Sequence, residues 1–454
     1  MSSKPNVLLL LCDQMQHQRM GFIDPSAHTP FLNDLAAEGI HFKNAYTCHG
    51  QCVPARAALQ TGLYPHECGV MVIYGFHEHQ ARLTQKYTTV GQCFKEAGYD
   101  TAYFGKTHFG VPLTELGYDI DGDHHPVSDE EAERLGISHV PKPLRPDYQS
   151  CNEAVSFLQS YAPDDNKPLF MTFSTNLPHP PFFTEPVWAE RFPAENLDLA
   201  DSYYAETFAD KPAFQKEHAQ DGNHGALDEL AQRQELAQYY TMIAEMDSHF
   251  ARIKAEYERL GLWDNTIVLF LADHGDMMGA HKMRLKGTLP YEELYHIPCL
   301  MKLPKNTEPQ RQVVDDLVSS VQAPATLLQA AGIDPPEQFH NGHFYDTPFR
   351  AAAPEDEHIF FEHYAAYWGI HPFYAVRTKR FKYARYYGDD ACEEMYDIQN
   401  DPHELNNIAA DPIYATTRGE LAQRADTWWH ETHGRDLAYY ESAAFKANEH
   451  NQAP

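Results

Sequence analysis

Four apolar runs in this chain each end in a group that can do chemistry. NVLLLLC, at 6–12, is followed by Asp13 and Gln14. DTAYF, at 100–104, leads into Lys106 and His108. PLFMTFS, at 168–174, leads into His179, and TIVLFL, at 266–271, leads into Asp273 and His274. In open α/β sheets ligands gather beyond the carboxyl ends of the strands, so four such endings describe one rim better than scattered polarity. Each residue alone has a plainer reading. Asp13 serves as a turn or cap residue, Gln14 faces solvent, Lys106 and His108 are loop residues, His179 packs between prolines, and Asp273-His274-Gly275 is a turn.

Together the groups suit one chemistry. Asp13 and Asp273, with His274 nearby, suggest a metal held chiefly by oxygen, which favours Ca²⁺ or Mg²⁺. The His ligand keeps Mn²⁺ and Zn²⁺ open. Lys106, Lys286 and Arg56 are cations for an anionic group, and His108 and His179 are a general acid and base. This set describes phosphoryl or sulfuryl transfer at a metal. Cys52 is the candidate nucleophile. Pro54 suits a first helical turn and Gly62 an exit, so Cys52 stands at a helix N-terminus, where anions are favoured and a thiol is acidified. The plainer reading is a buried cysteine ahead of a capped helix.

The elements that must position these groups follow from periodicity. The two longest apolar runs fit strands buried on both faces, as in a parallel sheet. Helices are expected at 31–39, with Thr29 as N-cap and Pro30 first, at 89–98, and at 238–260, with Ile243, Met246, Phe250, Ile253, Tyr257 and Leu260 on one face. Strands alternating with helices indicate an α/β fold with a large, mostly parallel central sheet flanked by helices. Stretches 119–148 and 183–233 read as long loops or lids. From about residue 373 the texture changes. AVRTKRFKYARYY alternates as an exposed strand would, EEMYDI reads as its partner, and 421–433 as a closing helix. The expected division is a catalytic domain over 1–370 and a C-terminal α+β subdomain on an antiparallel sheet over 371–454.

Of 454 residues, 35 are Lys or Arg and 65 are Asp or Glu, a formal charge of 35 − 65 = −30. A polyanion is repelled by nucleic acid and by anionic membranes, so neither is expected as a partner. No apolar run approaches the ~20 residues of a membrane span. The first run is too short for a signal-peptide core, so the expected location is cytoplasmic, or periplasmic if a leader has been removed. The eight cysteines lack the dense spacing of a disulfide framework and are expected to be reduced and mostly buried. Cys48 and Cys52 form a C-x3-C pair without a second half-site, which is weak support for zinc.

The segment Cys52-Val53-Pro54-Ala55-Arg56, followed by Ala57-Ala58-Leu59-Gln60-Thr61-Gly62, resembles the C-x-P-x-R…A-x-L-x-T-G signature of the type I sulfatases, in the alkaline phosphatase superfamily. KPNVLLLLCDQ, TPFLNDLAAEGIHFKNAY, FKEAGYDTAYFGKTHFG, LADHGDMMGAHKMRLKGTLPYEELYHIP and the C-terminal AVRTKRFKYARYY with EEMYDIQNDPHELNNIA are similar to further family segments in the same order. The resemblance implies that a maturation enzyme oxidises Cys52 to Cα-formylglycine. It implies that Asp13, Gln14, residue 52, Asp273 and His274 hold the cation, most often Ca²⁺. Many members have Asp where this chain has Gln14, which removes a charge. Arg56 would hold the hydrated aldehyde, and Lys106 and Lys286 the sulfate oxygens. One hydroxyl of the hydrate attacks sulfur, His179 (with Lys286) protonates the leaving alcohol, and His108 takes the proton whose loss expels sulfate.

The function so implied is hydrolysis of a sulfate ester of a small sulfated carbohydrate. A phosphonate monoester or phosphodiester hydrolase of the same superfamily is the alternative, and a catalytically silent binding protein is an alternative of another class. Tyr74, His77 and His79, after the nucleophile helix, and His371, before the C-terminal strand, are candidates to line the sugar pocket, with loop or core placement as the plainer reading. Aromatic stretches around Tyr203 and Tyr364 are candidates for a homo-oligomer interface. Acidic clusters at 119–133 and 389–404 lie outside the motif segments and read as a solubility feature.

Overall fold

The computed structural model describes residues 4–122, 145–164, 166–182, 190–309, 311–340, 344–350, 354, 356–389 and 391–451. Its main sheet has the order β4-β3-β5-β1-β6-β7-β2-β8. These strands are β1 (Asn6–Cys12), β2 (Ile40–Tyr46), β3 (Asp100–Gly105), β4 (Ile120–Gly122), β5 (Leu169–Ser174), β6 (Thr266–Ala272), β7 (Cys299–Lys302) and β8 (Val313–Ser319). β7 runs antiparallel to both neighbours, and every other pairing is parallel. β1, β5 and β6 are buried at every position, as expected of central strands covered on both faces. The strands that carry the chemistry, β3, β5, β1 and β6, are four consecutive neighbours, so their carboxyl ends share one edge.

The longer helices are α1 (Pro30–Glu38), α2 (Cys52–Thr61), α3 (Val90–Glu96), α4 (Pro146–Ser160), α5 (Ala213–Gln220), α6 (Glu229–Arg259), α7 (Ala323–Ala330) and α8 (Ala415–Glu431). None of the described helices is long and apolar enough to cross a membrane. Phe250 of α6 packs against Phe31, Phe173 and Phe270, joining α1 and α6 to the sheet. α6 begins at Glu229 rather than at 238. Its first turns bury polar residues: Gln232 is buried, and Glu235 binds Arg284. That burial hides the apolar stripe from a periodicity reading.

α1 starts at Pro30 as expected, but the Thr29 side chain makes no capping hydrogen bond. The cap comes from α6. Asp247 accepts the backbone N–H groups of Phe31 and Leu32, each at 2.9 Å. The expected loop at 119–148 contains β4 and the start of α4, and its residues 123–144 lie outside the described residues. The stretch 183–233 contains α5, a short helix Asp201–Ala205 and the first turn of α6; its residues 183–189 also lie outside them.

The second sheet is antiparallel, in the order β12-β11-β10-β9, from β9 (His358–Ala366), β10 (Gly369–Thr378), β11 (Phe381–Tyr386) and β12 (Glu393–Asp397). It begins ahead of the expected boundary at 371, which falls inside β10. β9 escapes a hydrophobic reading because His358, Glu362 and His363 interrupt it. AVRTKRFKYARYY is two strands turning at Lys379 and Arg380, not one exposed strand. Both its faces are covered. Phe373, Ala375 and Ala384 pack with Leu289, Tyr291 and Tyr295, while Tyr374, Val376 and Tyr383 share the main core with Trp428 and Trp429 of α8. Tyr364 is wholly buried against Tyr440 and His79, while Tyr367 in the same stretch is exposed.

Burial pushes the Asp247 carboxyl up to about 7, against its two backbone donors. An acid raised on folding keeps its proton in the folded state while the unfolded chain has lost it. Stability from this group therefore falls as pH rises from about 4 to about 7. Asp247→Ala should cost about 1–3 kcal/mol by urea denaturation, since it strands two buried N–H groups. Asp247→Asn should flatten the pH slope over that window. An unchanged slope would remove Asp247 as its source.

Candidate active site

The rim is closed by backbone geometry before any side chain is considered. Asp273 N–H donates to Cys12 O at 3.1 Å and Asp13 N–H to Leu177 O at 3.2 Å, so the strand ends stay in register past the sheet. At the end of β3, Gly105 has φ +97°, and a Cβ there would lie 1.9 Å from Ser174 O. Only glycine allows the close approach that delivers Lys106. Cys52 opens α2, whose left-handed C-cap is Gly62.

Asp13, Cys52, Asp273 and His274 are wholly buried, and one ligand atom from each lies within 4.8 Å of the others. Arg56 lies beneath them. Its Nε donates to Asp273 Oδ2 at 2.7 Å, its Nη2 to Asp13 Oδ2 at 3.4 Å, and its Nη1 to Ser174 Oγ at 2.8 Å and Lys106 O at 3.0 Å. Arg56 is thus a positioning residue under the carboxylates, rather than a cation open to substrate. The Lys106 ammonium pairs with Asp13 Oδ2. Lys286 Nζ donates to Cys52 Sγ at 2.9 Å and to Gln14 Oε1 at 2.7 Å. The His274 Nδ1–H donates to Gly275 O at 2.8 Å, which turns Nε2 to Cys52 Sγ at 3.2 Å.

The fields follow. Burial opposes ionisation of Cys52, but Lys286, Lys106 and His274 outweigh it and hold the thiol well below its usual range. Burial and the Cys52 charge likewise oppose ionisation of Asp13, and the Lys106 and Lys286 ammonium groups work against them and favour its charged form. Burial lowers His179, and both lysines lower it further. His179 Nδ1 donates to Pro180 O at 2.6 Å, leaving Nε2 for the site. His108 and His179 both interact electrostatically with the Cys52 side chain. Two carboxylates, an imidazole and the group at position 52, balanced by three cations, form a donor set that fits a metal ion.

The expected pocket residues fare differently. Tyr74 is exposed. His77 Nε2 meets Ala366 O at 2.8 Å, and His371 stacks on Phe214 at 4.1 Å. His79 is buried between Tyr364 and Phe445, covered by the C-terminal segment, and is not a pocket residue. Sequence reading misses Tyr367 and Trp368, the turn between β9 and β10. Trp368 covers Gly287, next in the chain to Lys286, where a Cβ would lie 1.8 Å from the indole. It also misses Asp147, which accepts the N–H groups of Asn176 at 2.6 Å and Leu177 at 3.1 Å and so fixes the His179 loop. No local signal marks either. Asp276 does carry a signal, its place close after Asp273 and His274 in the chain, and is a fourth residue of the site absent from the expected set.

A family profile described as Sulfatase matches residues 5–333, and one described as N-sulphoglucosamine sulphohydrolase, C-terminal, matches 279–430. The chain is 28% identical to the uncharacterized sulfatase YidJ of Escherichia coli K12, over 92% of this chain and 86% of that protein. Its fold is similar to a protein solved with its substrate D-glucosamine-2-N,6-O-disulfate (TM-score 0.78, 20% identity, 94% of this chain and 98% of that one). It is similar also to the phosphonate monoester hydrolase of Agrobacterium radiobacter (TM-score 0.78, 22% identity, 96% of this chain and 97% of that one).

Arg56→Met should destabilise the metal-free protein by about 3–5 kcal/mol, because it strands two buried carboxylates. Added Ca²⁺ should recover part of that loss. Urea melts in EDTA and in Ca²⁺ read both, and a wild-type melt in EDTA would refute the role given to Arg56.

Proposed function

From the premise that this chain belongs to the sulfatase family of the alkaline phosphatase superfamily, we propose that it hydrolyses a sulfate ester of a small sulfated carbohydrate, through a formylglycine formed from Cys52 and a divalent cation. The observation that carries this reading is the meeting of Asp13, Cys52, Asp273 and His274 with Lys106 and Lys286 beyond four adjacent strands. Asp13, Asp273, His274 and residue 52, with the Gln14 oxygen, would hold Ca²⁺, with Mg²⁺ or Mn²⁺ as alternatives. When bound, the cation supplies Lewis-acid polarisation of oxygen. A hydrated formylglycine supplies two hydroxyls, one for attack and one whose deprotonation expels sulfate.

The chain's own residues do the rest. Lys106 and Lys286 bracket position 52 and would neutralise the oxygens of the transferring group. Without substrate, burial and these charges disfavour the protonated form of His179. A bound sulfate offsets those charges and returns the proton, so His179 becomes a general acid only with substrate in place. His108, on the exposed side of the site, accepts the proton of the second hydroxyl.

A carbohydrate is favoured by the rings beside Lys286. Tyr367 is exposed, Phe76 packs edge-on to it, and Trp368 is packed by His218 and His224. Neutral aromatic faces suit the apolar face of a sugar. A second reading, phosphonate monoester or phosphodiester hydrolysis, is favoured by the fold shared with a phosphonate monoester hydrolase.

Paired sulfate, phosphodiester and phosphonate esters separate the two. A phosphodiester preference of about 100-fold, about 2.7 kcal/mol of transition-state discrimination, would overturn the sulfatase reading. Cys52→Ala should abolish turnover with the fold intact, and intact mass should show the aldehyde in protein matured in its host. His179→Ala should slow sugar sulfates more than activated aryl sulfates; equal losses would remove it as the general acid. Tyr367→Ala should raise KM for sugar sulfates and leave KM for a small aryl sulfate unchanged; equal shifts would sink the sugar assignment.

A further inference from the structure

Gln14 is the one member of the expected ligand set whose side chain cannot ionise, and it is held at every polar atom. Its φ is +71°, a left-handed conformation that a long side chain rarely adopts. Its N–H donates to Asp273 Oδ1 at 3.1 Å, and its carbonyl accepts the Tyr239 hydroxyl at 2.6 Å. The carboxamide is gripped at both ends. Nε2 donates to Asp276 Oδ2 at 2.5 Å, and Oε1 accepts from Lys286 Nζ at 2.7 Å. A carboxylate can only accept and an ammonium can only donate, so the flipped amide would make two repulsive contacts in place of two hydrogen bonds.

Asp276 is itself committed. It is wholly buried, and its Oδ1 accepts the N–H groups of Met278 at 2.7 Å and Leu285 at 3.1 Å, which closes the loop that delivers Lys286. Oδ2 is left for Gln14. One carboxylate therefore sets both the position of Lys286 and the direction of the Gln14 amide.

We propose that Asp276 is a positioning residue whose carboxylate locks the Gln14 amide with its oxygen toward Lys286 and position 52, so that a neutral oxygen ligand and a buried carboxylate behind it act as one unit. The inference rests on the divalent-cation reading above. It also gives a reason for an amide rather than a longer carboxylate at position 14. After Gln14→Glu, a carboxylate oxygen in the place of Nε2 would face Asp276 Oδ2, and one of the two buried acids would have to take up a proton to keep the contact.

The atoms define the test. In Asp276→Asn, Oδ1 keeps the Met278 and Leu285 donors while an NH₂ faces the Gln14 NH₂. The Gln14 amide must then turn its nitrogen toward the cation site. In Gln14→Glu two carboxyl groups meet. In the double variant Gln14→Glu/Asp276→Asn, the new carboxamide NH₂ at position 276 donates to the new carboxylate at position 14. That restores the contact with the polarity reversed and an oxygen again facing Lys286.

The experiment is calorimetric titration of the full chain, freed of metal, with Ca²⁺ and, in parallel, Mn²⁺, with thermal melts in EDTA. Each single variant is expected to weaken cation binding by about 10–100-fold, the usual effect of losing a partner behind a ligand. The double variant is expected to regain affinity to within about 10-fold of wild type, because the paired contact is restored. If a single variant fails to fold, recovery of folding in the double variant supports the pairing, and its failure to recover overturns it. Wild-type affinity in Asp276→Asn, or a double variant no better than the product of the two single losses, overturns the proposal while leaving the cation site standing. Absence of any cation binding by the wild-type protein overturns the cation reading and this inference with it.

Discussion

Everything at the rim depends on Arg56. Two carboxylates on adjacent strands, both wholly buried, repel each other in a medium where charge is poorly screened. The guanidinium beneath them joins Asp13 to Asp273 and ties both to Ser174 and the Lys106 carbonyl. It therefore ties together the ends of β1, β6, β5 and β3. A planar cation with several fixed donors can do this where a lysine cannot. Once the carboxylates are held, Lys106, Lys286 and His274 can crowd around position 52 without the site coming apart.

The second sheet is part of that site rather than an appendage. Glu362 in β9 accepts the His66 N–H at 2.8 Å and its Nδ1 at 2.7 Å, and the Glu362 N–H binds Cys48 O at 2.9 Å. The loop before the nucleophile is thereby fastened to β9. On the other side, Glu292 accepts from Tyr46, Arg377 and Lys382, and Lys382 also pairs with Glu404. This buried network fastens the segment after Lys286 to β10 and β11. Such networks add little net stability, because desolvation offsets attraction, but they penalise misplacement strongly.

The charge of −30 takes on a different meaning in this frame. The cluster at 389–404 is not a solubility feature as a whole. Glu394 and Glu404 are buried, and Glu393 and Asp397 pair with Arg385 and Arg380. Of the cluster at 119–133, residues 123–133 lie outside the described residues, while Asp119 pairs with Lys95. An anionic substrate responds to the local field of Lys106 and Lys286, not to the total.

The α/β class, the central strands and the candidate ligands are legible in the sequence because they are written in local terms. A strand buried on both faces must be continuously apolar, and a ligand at its end must be the next polar residue. The start of a helix at Cys52 is local in the same way. Which faces meet is not. The Asp247 cap on α1, the Asp147 brace on the His179 loop and Trp368 over Gly287 join segments far apart in the chain, and no periodicity encodes such a pairing. The same holds for β9, where buried polar residues break the apolar pattern, and for His79, which looks like a pocket residue until the C-terminal helices cover it. That Arg56 lies under the carboxylates, and that Asp276 stands behind Gln14, are facts of the closed chain alone. A side chain's role is set by what faces it, and that is decided when the strands and loops come together.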